Sequence, residues 1–212
     1  KLDATLGAMQ EEEVLDRINL PNIETYYTNY TRGTFVLNAV FELTDRITII
    51  NTTYLQQRFK DLNVIASMQP VHPPGCDGLP LEPTISKIGV NRYNEAYAWR
   101  SIKEAGGTVT FSTDWPVSNV DPINAISNAL NREKWSEDTI DQRLSLIETL
   151  RAYTIEGSYA EFKEHSKGIL KEGYLADIVI LSEKIDRIPT NDISKIEVIN
   201  TIIDGKIVYS RD

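Results

Sequence analysis

The chain is poor in the side chains on which small secreted domains and zinc modules depend. It has one cysteine, Cys76, in 212 residues. That rules out an internal disulfide and a cysteine-rich zinc module. It has only two histidines, His72 and His165, so a histidine-built metal centre is also beyond its own means. No apolar run approaches the roughly 20 residues of a membrane span. Basic residues are outnumbered 22 to 31 by acidic ones, for a net charge of −9. With no basic cluster against that background, neither nucleic acid nor an anionic membrane is a suitable partner. The N-terminus, KLDATLGAMQEEEV, has none of the features of a signal peptide. It does not open with methionine, so it reads as starting inside a longer product. A cytoplasmic location is the expectation.

What the chain does have is a 41% hydrophobic composition, ample for a core. Apolar positions at helical spacing predict a helix over 4–18, ended by Pro21. Residues 20–34 read as loop, 35–43 as a buried strand and 54–62 as a short helix. Val64 to Met68 predicts a strand. A long Pro/Gly loop follows over 70–83, and loops of that length are commonly functional. A helix is expected from Arg92 to Ala105. Thr108 to Phe111 is β-branched or aromatic, which predicts a second buried strand. Strand, helix and strand in that order imply a βαβ unit with parallel pairing. Helices are expected over 121–132, 144–153 and 155–165. From residue 168 the period becomes alternating. Residues 177–181 predict a strand, and 197–203 with 206–209 a hairpin about Asp204-Gly205, a type I′ signal.

The segment FSTDWPV concentrates the chemistry. Asp114 falls where the strand over 108–113 gives way to a loop, and Pro116 keeps the strand from running on. In an α/β barrel that end of a strand is where catalytic groups collect. A carboxylate there can hold a metal or move protons. The competing explanation is a solvated or capping aspartate.

Three stretches, ASMQPVHPPGCDGLPLEP, RYNEAYAWRSIKEAGGTVTFSTDWPVSNVDP and RAYTIEGSYAEFKEHSKGILKEGYLADIVIL, occur in the order and spacing of amidohydrolase family 3. The chain resembles that family, the metal-dependent hydrolases similar to N-substituted formamide deformylases, over roughly residues 60–209. The resemblance implies an α/β fold: the last strands and helices of a (β/α)8 TIM barrel over 1–167, then the C-terminal part of a small β-sandwich over 168–212. Residues 64–68 would be the seventh barrel strand and 108–113 the eighth. It implies hydrolysis of a carbon–nitrogen bond, not a peptide bond, in a small amide or formamide, by water on a divalent metal, zinc by default. Asp114 would ligate that metal and shuttle the proton. His72 would border the pocket, Asp77 and Arg92 would lie near its mouth, and Trp115 would wall the substrate. Ordinary loop, helix-start and core roles are the competing explanations for these four.

His165 is expected at a helix C-terminus, where the dipole favours a cation. Asp177 is a structural mark of entry into the sandwich, and Cys76 lacks a base for nucleophilic work. The chain departs from the family where further histidines belong. No histidine precedes His72, and Val40 is the expected replacement for the one on the sixth strand. A lone Asp114 cannot hold a catalytic zinc, which takes three protein ligands. A complete barrel takes about 250 residues, and this chain has room for three strands. A fragment, a split gene whose partner chain supplies the other strands, and a degenerate homologue remain open. So does a non-catalytic scaffold or interaction module in place of a hydrolase. Self-association is expected of a sheet with open edges.

Overall fold

A computed structural model of the chain describes residues 59–211. The expected helix over 4–18, the strand over 35–43, Val40 and most of the helix over 54–62 lie outside the described residues. Residues 59–61, the end of that last helix, are helical.

Two short strands come first in space. β1 (Ile65–Met68) pairs in parallel with β2 (Thr108–Phe111), from Ile65 opposite Thr108 to Met68 opposite Phe111. Both are apolar on the side that faces the helices. Ala66, Val109 and Phe111 enter one core with Trp99, Ile102, Ala129, Leu144 and Ala152. The crossover between the strands carries α1 (Thr84–Ile88), a 3-10 turn (Val90–Arg92) and α2 (Trp99–Glu104). It is the βαβ unit expected from the sequence, with two corrections.

The helix expected from Arg92 to Ala105 begins only at Trp99. Tyr97 is left-handed at φ 52°, and the carbonyls of Tyr97 and Ala96 turn to the buried guanidinium of Arg132, at 2.7 and 3.5 Å. The Asn94 side chain accepts from the Ile140 N–H at 2.7 Å. Long-range partners thus take over the backbone and side chain that a continuous helix would engage. The second correction is α1, which the sequence reading leaves without an element.

α2 ends as its glycines predict. Gly106 N–H donates to Lys103 and Gly107 N–H to Ile102, at 2.8 and 2.9 Å. That pair of bonds is the Schellman arrangement, with Gly106 left-handed at φ 87°. α3 (Pro122–Asn131) starts on Asp121, whose carboxylate accepts from the Ile123 N–H at 2.9 Å. Its buried residues Ile123, Ile126 and Leu130 recur at helical spacing and enter a second core with Ile193 and Ile196. α4 (Leu146–Tyr153) opens on a capping box between Ser145 and Glu148.

α5 (Ile155–Ala160) stops well short of residue 165. Phe162 is left-handed at φ 59°, so the helix cannot continue. His165 is therefore not at a helix C-terminus. It lies in a turn, its side chain 91% exposed and 3.3 Å from Glu164.

The last part is a three-stranded antiparallel sheet in the order β3 (Ile178–Leu181), β4 (Val198–Ile203), β5 (Lys206–Ser210). Asp204 and Gly205 both have positive φ, 48° and 74°, as the type I′ turn requires. Asp177 accepts from the Asp204 N–H at 2.9 Å, which ties the entry of β3 to this turn and matches its structural reading. No helix among the described residues is long and apolar enough to cross a membrane.

Candidate active site

Because β1 and β2 run parallel, their C-terminal ends open on the same side. The loops that leave them carry the polar residues. The ladder is prolonged by the Ser112 N–H donating to the Met68 carbonyl at 3.0 Å, and beside it Gln69 Nε2 donates to Ser112 Oγ at 3.0 Å. Just beyond, His72 from the first loop meets Asp114 and Ser118 from the second. His72 Nε2 is 2.8 Å from Ser118 Oγ and 3.9 Å from Asp114 Oδ2. Which partner donates to the other in the His72–Ser118 bond depends on the ring tautomer.

Asp114 is left-handed, at φ 57°. Its carbonyl accepts from the Val117 N–H at 2.8 Å, closing a tight turn over Trp115 and Pro116. Short polar side chains are the ones that tolerate this backbone. No backbone N–H among the described residues donates to the Asp114 carboxylate, so it caps none of them. Its side chain is half exposed and that of His72 only 24%. A water-accessible carboxylate beside a more sheltered imidazole can accept and release protons.

The other sequence-nominated residues are placed differently. Asp77 is bound to α3: its carboxylate accepts from Asn124 Nδ2, and its own N–H donates to Asn128 Oδ1 at 3.4 Å. Arg92 turns its guanidinium back on α1, donating to the Ile88 and Lys87 carbonyls at 2.6 and 3.2 Å. It lines a cleft with Pro83, Lys87, Ile88 and Glu95. Trp115 is 68% exposed. None of these three is joined to His72 or Asp114 by a hydrogen bond or ion pair among the described residues. Cys76 is buried, and burial pushes its thiol up to about 11. A thiol held neutral in this way is a poor nucleophile.

Sequence reasoning passed over Ser118 and Gln69. Ser118 follows Asp114 by four residues in the same loop, so its proximity could have been read. The pairing of Gln69 with Ser112 spans 43 residues and needs the strand register.

A divalent metal, as the family resemblance implies, can be tested against these donors. His72 and Asp114 are two. A catalytic zinc takes three protein ligands. Among the described residues no group of three His, Cys, Asp or Glu side chains could hold a metal ion. The described residues therefore do not fit such a site by themselves.

Comparison with known proteins agrees with the architecture. Residues 38–209 match the family model described as amidohydrolase family. The chain is 33% identical over 156 residues to the protein LONG AFTER FAR-RED 3 of Arabidopsis thaliana, an alignment covering 72% of this chain and 26% of that protein. It is 26% identical over 114 residues to the N-substituted formamide deformylase of Arthrobacter pascens, covering 53% of this chain and 21% of that one. Among solved structures it is similar to an adenosine deaminase from Xanthomonas campestris with bound zinc. The TM-score is 0.53 at 17% identity, over 94% of this chain and 40% of the other. At that identity the likeness concerns the fold alone. The chain spans about a quarter of the length of the curated relatives it matches.

Proposed function

The chain belongs to the amidohydrolase family, and from that premise we propose that it is the C-terminal part of a (β/α)8-barrel hydrolase. In this reading residues 1–167 contribute the last barrel strands and helices, and 168–212 part of a β-sandwich. The reaction is hydrolysis of a carbon–nitrogen bond, other than a peptide bond, in a small amide or N-substituted formamide. One observation carries it. Two adjacent parallel strands deliver a histidine and a carboxylate to one point at their C-terminal ends, with Nε2 and Oδ2 3.9 Å apart.

Asp114 accepts the proton of the attacking water and later passes it to the departing nitrogen, which would otherwise leave as a poor anionic group. His72, fixed by Ser118, faces the substrate. In this reading the exposed ring of Trp115 would wall the substrate, and Asp77 and Arg92 would serve at the mouth of the pocket. When a divalent cation is bound in an enzyme of this kind, it lowers the pKa of a bound water. The residues that would complete that centre come from strands outside this set, supplied by a second polypeptide or a further segment.

Two measurements test the reading. Dialysed against zinc or manganese, the chain alone should retain no stoichiometric metal by elemental analysis. Joined behind the preceding barrel strands of the formamide deformylase, it should support formamide hydrolysis, and Asp114→Asn should abolish that turnover because the amide cannot take the proton. Turnover that survives Asp114→Asn removes this residue from the mechanism. Tight metal on the isolated chain overturns the incompleteness. The histidine count of two favours a second reading, a non-catalytic scaffold. It predicts neither metal nor turnover in the chimera.

A further inference from the structure

Trp135 and Arg132 lie outside the site just described, yet Trp135 is bound to the loop that carries His72. α3 ends at Asn131 and the chain turns away extended at Arg132. The Arg132 guanidinium lies 4.8 Å from the centre of the Trp99 ring and 4.9 Å from that of Trp135. It donates to the carbonyls of Tyr97 and Ala96. A buried guanidinium is costly unless it is well partnered. Here carbonyls and aromatic faces are the partners. Burial draws its pKa down to about 10, which leaves it charged near neutrality. Tyr93 and Tyr97 meet Trp135 edge-on, at 5.6 and 6.1 Å. The indole is thus held on several sides.

The held indole has one polar handle. Trp135 Nε1–H donates to the Pro74 carbonyl at 2.9 Å, across 61 residues of sequence. Pro74 is two residues from His72. Between them stands Pro73, fully buried, its carbonyl accepting from the Cys76 N–H at 3.0 Å. Both prolines have a fixed φ, and a residue before proline is itself restricted. The path from Pro74 to the His72 Cα therefore has little slack. On the other side His72 N–H donates to the Gln69 carbonyl at 3.1 Å, at the end of β1.

We propose that Trp135, seated on the Arg132 guanidinium, is a positioning residue that sets where the His72 imidazole stands relative to Asp114 and Ser118. The inference rests on His72 belonging to the active site. Its geometric content is independent of turnover.

The two histidines supply the probe and its control. With histidine-selective isotope labelling of the full chain, His72 reports the site and the exposed His165 reports the surface. Trp135→Phe keeps an aromatic face and removes the donor. It should shift the His72 imidazole signals and leave those of His165 unmoved. Arg132→Lys, which keeps the charge and loses the flat stacking surface, should move His72 in the same direction. Ile193→Val is the control for mere loss of packing. Ile193 is buried in the second core and is not part of the stack of Arg132 on Trp99 and Trp135, so His72 should stay in place even if the melt falls. Wild-type His72 signals in folded Trp135→Phe overturn the proposal. So does an equal His72 shift in Ile193→Val. Should Trp135→Phe fail to fold, Arg132→Lys decides alone by the same criterion. A loss of hydrolysis in the chimera with His72 unmoved would count against the assigned reaction and not for this link.

Discussion

Asp114 combines an unusual backbone with an open carboxylate, and the two have separable consequences. The carboxylate accepts no hydrogen bond from the turn beneath it, so it adds little to stability. Asparagine tolerates the left-handed region about as well as aspartate. Asp114→Asn should therefore leave the denaturant midpoint unchanged, or slightly raised if Asp114 has the proposed catalytic role, since replacing a residue held for chemistry often stabilises. Asp114→Ala should cost about 1 kcal/mol, because alanine is disfavoured at positive φ. Equilibrium urea melts of both variants check this. A loss in Asp114→Asn as large as in Asp114→Ala would mean that the charge itself holds the turn.

At the scale of elements, the start of α4 makes a pH-dependent contribution whose sign can be worked out. Hydrogen bonds from Ser145 hold the Glu148 carboxyl below its ordinary value of 4.5. The bonds from Arg143 do the same for Asp141. A group whose pKa is depressed by folding stabilises the folded state above its unfolded pKa. It loses that contribution as the pH falls through the folded value. Stability should thus decline below about pH 4.5, from the Glu148 reference value. Ser145→Ala should remove about 1 kcal/mol at neutral pH, the usual cost of a lost cap, and should flatten part of the acid slope. Melts at pH 7 and at pH 3 measure both effects. An unchanged slope would place the acid sensitivity elsewhere.

On the whole molecule, the distribution of apolar surface is the informative feature. Val179, Ile180, Ile203, Ile207, Val208 and Tyr209 are all exposed on the antiparallel sheet, and every residue of β5 is exposed. Among the described residues, β1 and β2 pair only with each other, leaving an edge on each side. Unpaired strand edges and broad apolar faces seek partners. The chain alone should therefore self-associate, with a weight-average mass in sedimentation equilibrium that rises with concentration. A monodisperse monomer at all concentrations, with one sharp melt, would show that the chain covers these surfaces itself.

Local signals in the sequence were enough to determine several features. β2 follows from a β-branched and aromatic run and β1 from the short, mostly apolar run Val64 to Met68, the stop of α2 from Gly106-Gly107, and the hairpin from Asp204-Gly205. α3 follows from its apolar spacing, and the Ser145 to Glu148 box is visible as a pattern three residues apart. Each of these depends on neighbours within a turn or a strand, and so each could be read from the chain. The position of Asp114 at a strand end belongs to the same class. Other features depended on contacts across tens of residues. α2 has no cap of its own; the buried Gln142 accepts from the Arg100 and Ser101 N–H groups at 3.0 and 3.2 Å. Arg132 claims the carbonyls of Ala96 and Tyr97 and so shortens the expected helix. The meeting of His72 with Ser118, and of Trp135 with Pro74, exists only because the parallel register brings separate loops together. Propensity and capping are short-range terms that the sequence carries openly. Which buried donor finds which acceptor is decided by packing, and only the tertiary structure specifies it.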